Sequence, residues 1–239
     1  MTIARAGLVT WLLVMQLARS ATARTAPYHL ALEAATDFPA DVGGRLTAEL
    51  PWRLRLTTSL GVLPGGYVDV INAVVVGLGG YNQSTADLVR TALQNSLVWR
   101  LHAGWRPFER LGLYVDVGYG LAALGGSAAG DQIISAATGR TVPTTGGRQY
   151  DLSSTLHMVD VEIGWEWALW GRLSLRAAVG GAFTLGASTS MTPKFPTGSA
   201  LEARGVQAFT SFGAAYLDHT YTSYVHAPLV TVAVGYRFF

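Results

Sequence analysis

Val159-Asp160-Val161-Glu162-Ile163-Gly164-Trp165-Glu166-Trp167 carries an apolar side chain at every odd position and an acid or glycine at every even one. A period of two sends the two sets to opposite faces of an extended strand. The same alternation recurs along the chain. Leu30, Leu32 and Ala34 oppose His29, Glu33 and Asp37 in 28–38. Leu46, Ala48 and Leu50 oppose Arg45, Thr47 and Glu49 in 45–52, and Leu54, Leu56 and Leu60 oppose Arg53, Arg55 and Ser59 in 53–62. Segment 96–106 sets Leu97, Trp99 and Leu101 against Arg100, His102 and Arg106, and 111–121 sets Val115, Val117 and Tyr119 against Tyr114, Asp116 and Gly118. Leu173, Leu175 and Val179 oppose Arg172, Ser174 and Arg176 in 172–186, and Val230, Val232, Val234, Tyr236 and Phe238 oppose Thr231, Gly235 and Arg237 in 229–238. With 155–167, this makes eight strand segments.

In each segment the apolar face is almost free of polar atoms, while the other face holds Arg, Asp and Glu. A soluble sandwich buries its apolar face, whereas a membrane barrel turns that face to lipid and encloses the polar one. Connection lengths favour the barrel. Leu50-Pro51-Trp52-Arg53, Pro107-Phe108-Glu109-Arg110 and Ala168-Leu169-Trp170-Gly171 are tight, and 63–95, 122–154 and 187–228 are long. Short turns on one side and long loops on the other are the rule for outer-membrane barrels. Trp52, Trp105, Phe108, Trp165, Trp167, Trp170, Tyr236 and Phe238 gather at the short-turn side, as an interfacial aromatic girdle would.

Composition agrees. Of the 239 residues, half are hydrophobic and 13% are charged, against roughly 25% in average soluble domains. The absence of Cys excludes disulfides and Cys-ligated metals. Arg5, the apolar run 6–18 and Ala21-Thr22-Ala23 form a secretory signal with cleavage expected after Ala23. That divides the chain into a signal peptide, 1–23, and a barrel domain, 24–239. Removing Arg5 and Arg19 brings the 17 bases down to parity with the 15 acids, so no basic face is offered to nucleic acid.

The terminal stretch Val232-Ala233-Val234-Gly235-Tyr236-Arg237-Phe238-Phe239 resembles the C-terminal recognition strand of bacterial outer-membrane proteins, with Val232, Val234, Tyr236, Phe238 and Phe239 carrying the resemblance. The whole resembles the small barrels of the OmpA and OmpX type. The resemblance implies an eight-stranded antiparallel up-and-down transmembrane β-barrel in the bacterial outer membrane, exported through the inner membrane and inserted with the help of the barrel-assembly machinery. Its partners would be outer-membrane lipids and a surface ligand of unknown kind.

An eight-stranded bore is just wide enough for side chains. Parity predicts an inward polar network of Glu33, Glu49, Arg53, Arg55, Arg100, Arg106, Asp116, Asp160, Glu162, Glu166, Arg172, Arg176 and Arg237, with Asp37 and Arg45 on the same face. Near-balanced signs predict ion pairing, since isolated buried charges cost several kcal/mol each.

Two long loops are expected to hold short helices. In 64–95, Pro64-Gly65-Gly66 opens an apolar run, and Ser84-Thr85-Ala86-Asp87 reads as a helix start. In 199–225, apolar residues recur at helical spacing behind a Ser199 cap. Loop 122–154, rich in small residues, reads as irregular.

Three functions are consistent with this chain: a structural or surface-binding barrel with a charge-paired lumen, a narrow channel for small or apolar solutes of the OmpW kind, or a lipid-modifying enzyme. For the last, His157 lies near Ser153 and Ser154; a protease of the omptin kind would use Asp and His groups at the outer rim, where Asp218, His219 and His226 fall. These signals are weak. No catalytic, cofactor or metal site is expected, and no glycine-rich phosphate loop is present.

Overall fold

The computed structural model describes residues 29–93, 95–108, 111–140, 142 and 148–238. The segment expected to be a signal peptide, with Ala21 and Ala23, and Phe239 lie outside the described residues.

The period-two segments form eight strands: β1 (His29–Phe38), β2 (Asp41–Glu49), β3 (Leu54–Val62), β4 (Asn95–Trp105), β5 (Leu113–Ala129), β6 (Gln149–Ala168), β7 (Leu173–Pro193) and β8 (His226–Arg237). Each pairs antiparallel with its sequence neighbours, and β8 pairs with β1, giving a closed barrel in chain order. This is the expected up-and-down architecture. Within the closed ring no sheet edge is left, so each strand there finds backbone partners on both sides. The last strand makes the seam: Val232, Val234 and Tyr236 stand opposite Thr36, Ala34 and Leu32, and Phe238 N donates to Leu30 O at 2.9 Å.

The parity reading holds along the walls. Leu32, Leu54, Leu60, Val115, Val117, Val161, Ile163, Val179, Val230, Val232 and Val234 are exposed on the outside, while Glu33, Asp37, Arg45, Arg55, Arg100, Asp116, Asp160, Glu162 and Arg176 are buried inside. On β6 the outward row is apolar from Trp167 to Val159, then turns polar through His157, Thr155, Ser153 and Asp151. At ~3.3 Å per residue and a tilt of ~40°, such a row rises about 20 Å along the barrel axis, most of the ~25 Å height of a hydrocarbon-facing band. Exposed Trp52, Trp105, Phe108, Trp165, Trp167 and Trp170 ring the short-turn end. In the β2–β3 turn, Trp52 and Arg53 both adopt left-handed backbone, with φ 62° and 66°.

At the opposite end, strands run further than period two alone revealed. β5, β6 and β7 extend to Ala129, Gln149 and Pro193, and they project as a three-stranded wall beyond the rest of the barrel. The alternation in β7 is interrupted by a register shift where His157 pairs with Gly186 and Met158 with Thr184. The extra residue, Leu185, resets the inward parity from Ala182 and Thr184 to Met191. That reset ends the readable pattern near 186. Pro228, one residue ahead of the segment 229–238 that alternation marks, lies within β8 opposite Gly181.

Helices cover the inner face of this wall. They are α1 (Gly65–Gly77), α2 (Gln83–Ala92), α3 (Gly130–Thr138) and α4 (Ala200–Tyr224). α3 falls in the segment expected to be irregular, and α4 is a single helix of 25 residues. The start of α2 is capped by Asn82, whose Oδ1 accepts from Thr85 N at 2.9 Å, two residues earlier than the Ser84 start expected. Ser199 caps α4 as expected, accepting from Glu202 N at 3.2 Å. Leu88, Val89, Ile133, Val206, Leu217 and Tyr221 of the helices join Ala122, Leu124, Leu152, Leu156 and Met191 of the wall in one apolar cluster. The helices meet at Tyr216, whose hydroxyl donates to Ala136 O at 3.0 Å and lies 2.8 Å from Thr85 Oγ1.

Candidate functional site in the barrel interior

The interior is built in levels. Nearest the short turns, Glu166 gathers cations from several strands: Arg106 at 2.8 Å, Arg176 at 3.3 Å, Arg55 at 3.5 Å, and Arg237. Arg106 also holds Glu49 at 2.5 Å, and Arg176 reaches Glu33 at 2.9 Å. The Arg55 and Arg176 guanidiniums lie over the Tyr114 ring at 3.8 and 5.1 Å from its centroid, a cation–π arrangement among buried groups.

Mid-barrel, Arg45 forks onto Asp37 with Nη2–oxygen distances of 2.8 and 2.9 Å and approaches Glu162 at 3.8 Å. Arg100 bonds Asp37, lies 2.7 Å from Asp41, and reaches Asp160 at 3.4 Å and Glu162 at 3.7 Å. His102 Nε2 lies 2.5 Å from Asp160 Oδ2, and Thr231 Oγ1 donates to Asp37 at 2.5 Å. Above this level the inward residues become apolar, beginning with Ala122 on β5 and Leu156 on β6, where the helical cluster starts.

These pairs cross the bore. Arg45 stands on β2 and Glu162 on β6, directly opposite in a ring of eight. Arg100 on β4 and Asp37 on β1, like Arg55 on β3 and Glu166 on β6, are separated by two intervening strands. Such reach needs long side chains and empty space beside them. A methyl group added to Gly118 would run into the His102 ring and the Asp160 carboxylate, and one on Gly164 into the Tyr114 hydroxyl. These inward glycines leave the volume that the charged side chains fill.

Of the residues that parity assigned to the interior, Glu33, Arg55, Arg100, Asp116, Asp160, Glu162, Glu166 and Arg176 are buried there, and Glu49, Arg106 and Arg237 are half-buried at its short-turn end. Two are not. Arg53 sits exposed in the β2–β3 turn, donating to Pro107 O at 2.8 Å, because the strand begins only at Leu54. Arg172 is exposed in the β6–β7 turn beside Tyr236, with 3.4 Å between Nη1 and the hydroxyl. Asp41, His102, Tyr114 and Thr231 complete the network. Asp41 was hidden because Gly43 and Gly44 interrupt the pattern on β2. Its inclusion and the loss of two arginines leave more buried carboxylates than guanidiniums inside, where near-balance was expected.

His102, Asp160 and Glu162 bring donor atoms within 4.8 Å of one another, a grouping that residue spacing does not reveal. Arg100 lies against both carboxylates, so a guanidinium already supplies the positive charge there. The arrangement is an ion-pair and hydrogen-bond network. The candidate enzyme residues are dispersed. His157 Nδ1 is 2.5 Å from Tyr119 Oη on the outer wall, while the neighbouring Ser154 turns inward to Thr189 at 2.8 Å. His226 Nδ1 accepts from Thr184 N at 3.3 Å, and His219 lies 3.4 Å from Ser223 Oγ.

The fold and its interior define a closed eight-stranded antiparallel barrel, apolar outside and ionic within, with a helical cover at one mouth. No family model and no curated protein matches the chain. Among solved structures it is similar to a major outer membrane protein from Thermus thermophilus, at 15% identity and a TM-score of 0.46, over 89% of this chain and all 100% of that one. It is also similar to Acinetobacter baumannii CarO, at 13% identity and TM-score 0.35 over 88% of this chain and 97% of that one. Acinetobacter baumannii CarO2 aligns at 11% identity and TM-score 0.37 over 89% of this chain and 100% of that one.

Proposed function

We propose that the chain is an integral outer-membrane barrel, non-conducting, whose role is structural or surface-binding and is exercised at the helix-covered mouth. The membrane reading is supported by the exposed apolar row about 20 Å tall, its aromatic ring at the short-turn end, and a wall that turns polar above it. The observation that carries the non-conducting reading is the contact between opposite walls: Arg45 on β2 meets Glu162 on β6 at 3.8 Å. Ion pairs joining opposite strands fill the cross-section at that level, and the apolar cluster under the helices fills the next. On this reading the terminal strand β8, which makes the seam with β1, is the segment that the assembly machinery engages.

The test is planar-bilayer conductance of the refolded mature chain, with heat-modifiable gel mobility confirming folding. The expected result is a folded barrel with no unitary current. Steady unitary current from folded protein would overturn the non-conducting reading in favour of a narrow channel.

A further inference from the structure

Helix α1 is the most apolar of the four described helices, and it is little used in packing. Its inner side contributes Val68 to the apolar cluster, and its Asn72 Nδ2 donates to Ala86 O at 2.8 Å. Its other side carries a stripe at helical spacing: Tyr67, Val70, Ile71, Val74 and, at the cap, Leu78. Val74 is 52% and Leu78 83% exposed. The helix has one charged residue, Asp69, which pairs off the stripe with Arg90 of α2 at 3.2 Å.

The first residue of the stripe shows which way it faces. Tyr67 reaches over the rim onto the outer wall of β1. Its hydroxyl is 2.7 Å from Thr36 Oγ1, and its ring packs edge-on against Phe38 with centroids 4.9 Å apart. Thr36 and Phe38 belong to the outward row of β1 that continues the exposed apolar band. The stripe on α1 therefore prolongs that band sideways from the rim.

We propose that α1 is an interfacial helix whose Val70–Val74–Leu78 stripe rests in the outer lipid leaflet beside the barrel, with Tyr67 as its anchor to the wall. This rests on the membrane reading above. At ~1.5 Å per residue the helix covers roughly 20 Å of the boundary, and amphipathic helices of this kind bury their apolar face about 5–10 Å deep. The occupant is the lipid bilayer, because the stripe is continuous with the band that faces it.

The absence of native Cys makes the test direct. Single cysteines replacing Val74, Val62, Val161 and Gln83, one per protein, are labelled with an environment-sensitive fluorophore and refolded into vesicles containing chain-brominated phospholipid, with folding checked by heat-modifiable mobility. Val62 and Val161 lie on the exposed outer wall, and Gln83 lies exposed at the start of α2. The expected result is quenching at Val74 within about twofold of that at Val62, strongest with bromines near the headgroup, and none at Gln83. Quenching at Val161 and Val62 but not at Val74 overturns the α1 proposal and leaves the barrel in its membrane. No quenching at any site overturns the membrane reading itself. Shielding of Val74 that vanishes on diluting the protein into excess lipid, without quenching by bromine, assigns the stripe to a second copy of the chain and also overturns the proposal.

Discussion

Arg45 shows what a single side chain does inside this barrel. Its guanidinium joins Asp37 on the neighbouring strand to Glu162 on the opposite one, so its removal strips positive charge from two buried carboxylates at once. Arg45→Leu is expected to lower stability by about 3–5 kcal/mol, measured by urea unfolding in detergent micelles or vesicles. Adding Glu162→Leu should recover part of the loss, because one of the two carboxylates that then share Arg100 alone is gone; a double variant no better than the single one would show that the cross-bore pair is not coupled. Glycine acts by absence. Gly118→Ala puts a methyl group into the space of His102 and Asp160. It should cost about 1–3 kcal/mol, seen as a lower urea midpoint with an unchanged slope. Inward parity made the acids and arginines of the interior legible. Which arginines end in turns was not legible, since the alternation of 53–62 and 172–186 runs smoothly through residues that the backbone has already bent.

At the scale of elements, each strand is set by alternation and each helix by a cap and a covered face. The helices are held on one another by few polar contacts, and Tyr81 is one: its hydroxyl donates to Asn72 Oδ1 at 2.6 Å, tying the α1–α2 connection to α1. Burial pushes the Tyr81 hydroxyl up from 10 to about 12. The folded state thus holds this proton more tightly than the unfolded chain. The cap's stability should be unaffected by this group below pH 10 and should fall as pH rises from 10 to about 12. Far-ultraviolet dichroism across that range should show helical loss in the parent protein and a smaller loss in Tyr81→Phe, whereas equal losses would mean that another group governs the alkaline transition. The α2 start was misplaced by two residues from sequence because Asn82, Ser84 and Thr85 are all competent caps, and packing against the wall selects Asn82.

At the scale of the molecule, the design is a buried ionic cylinder extended on one side by the β5–β7 wall and closed by helices that pack on it. The outer surface divides at about the level of His157 into an apolar zone and a polar one. On the proposed membrane reading the two zones respond differently to charge. Val161→Arg should destabilise the barrel by about 2–4 kcal/mol in vesicles, whereas Ser153→Arg, on the same strand above the band, should be near neutral. Equal tolerance at both positions in equilibrium unfolding from lipid would argue against a bilayer around Val161.

By itself the sequence determined the number of strands, their order, which face of each strand is polar, and the division into short turns and long loops. These follow from local periodicity, and a pattern of period two survives in a single chain without knowledge of its neighbours. Only the tertiary structure decided which charges meet, that Asp41 and His102 join them, that Arg53 and Arg172 stand outside, and that β5–β7 rise into a wall under α2, α3 and α4. Partners such as Arg45 and Glu162 lie far apart along the chain and on opposite strands, and their meeting depends on closure of the ring and on the room that inward glycines leave within it, neither of which any short stretch of residues encodes.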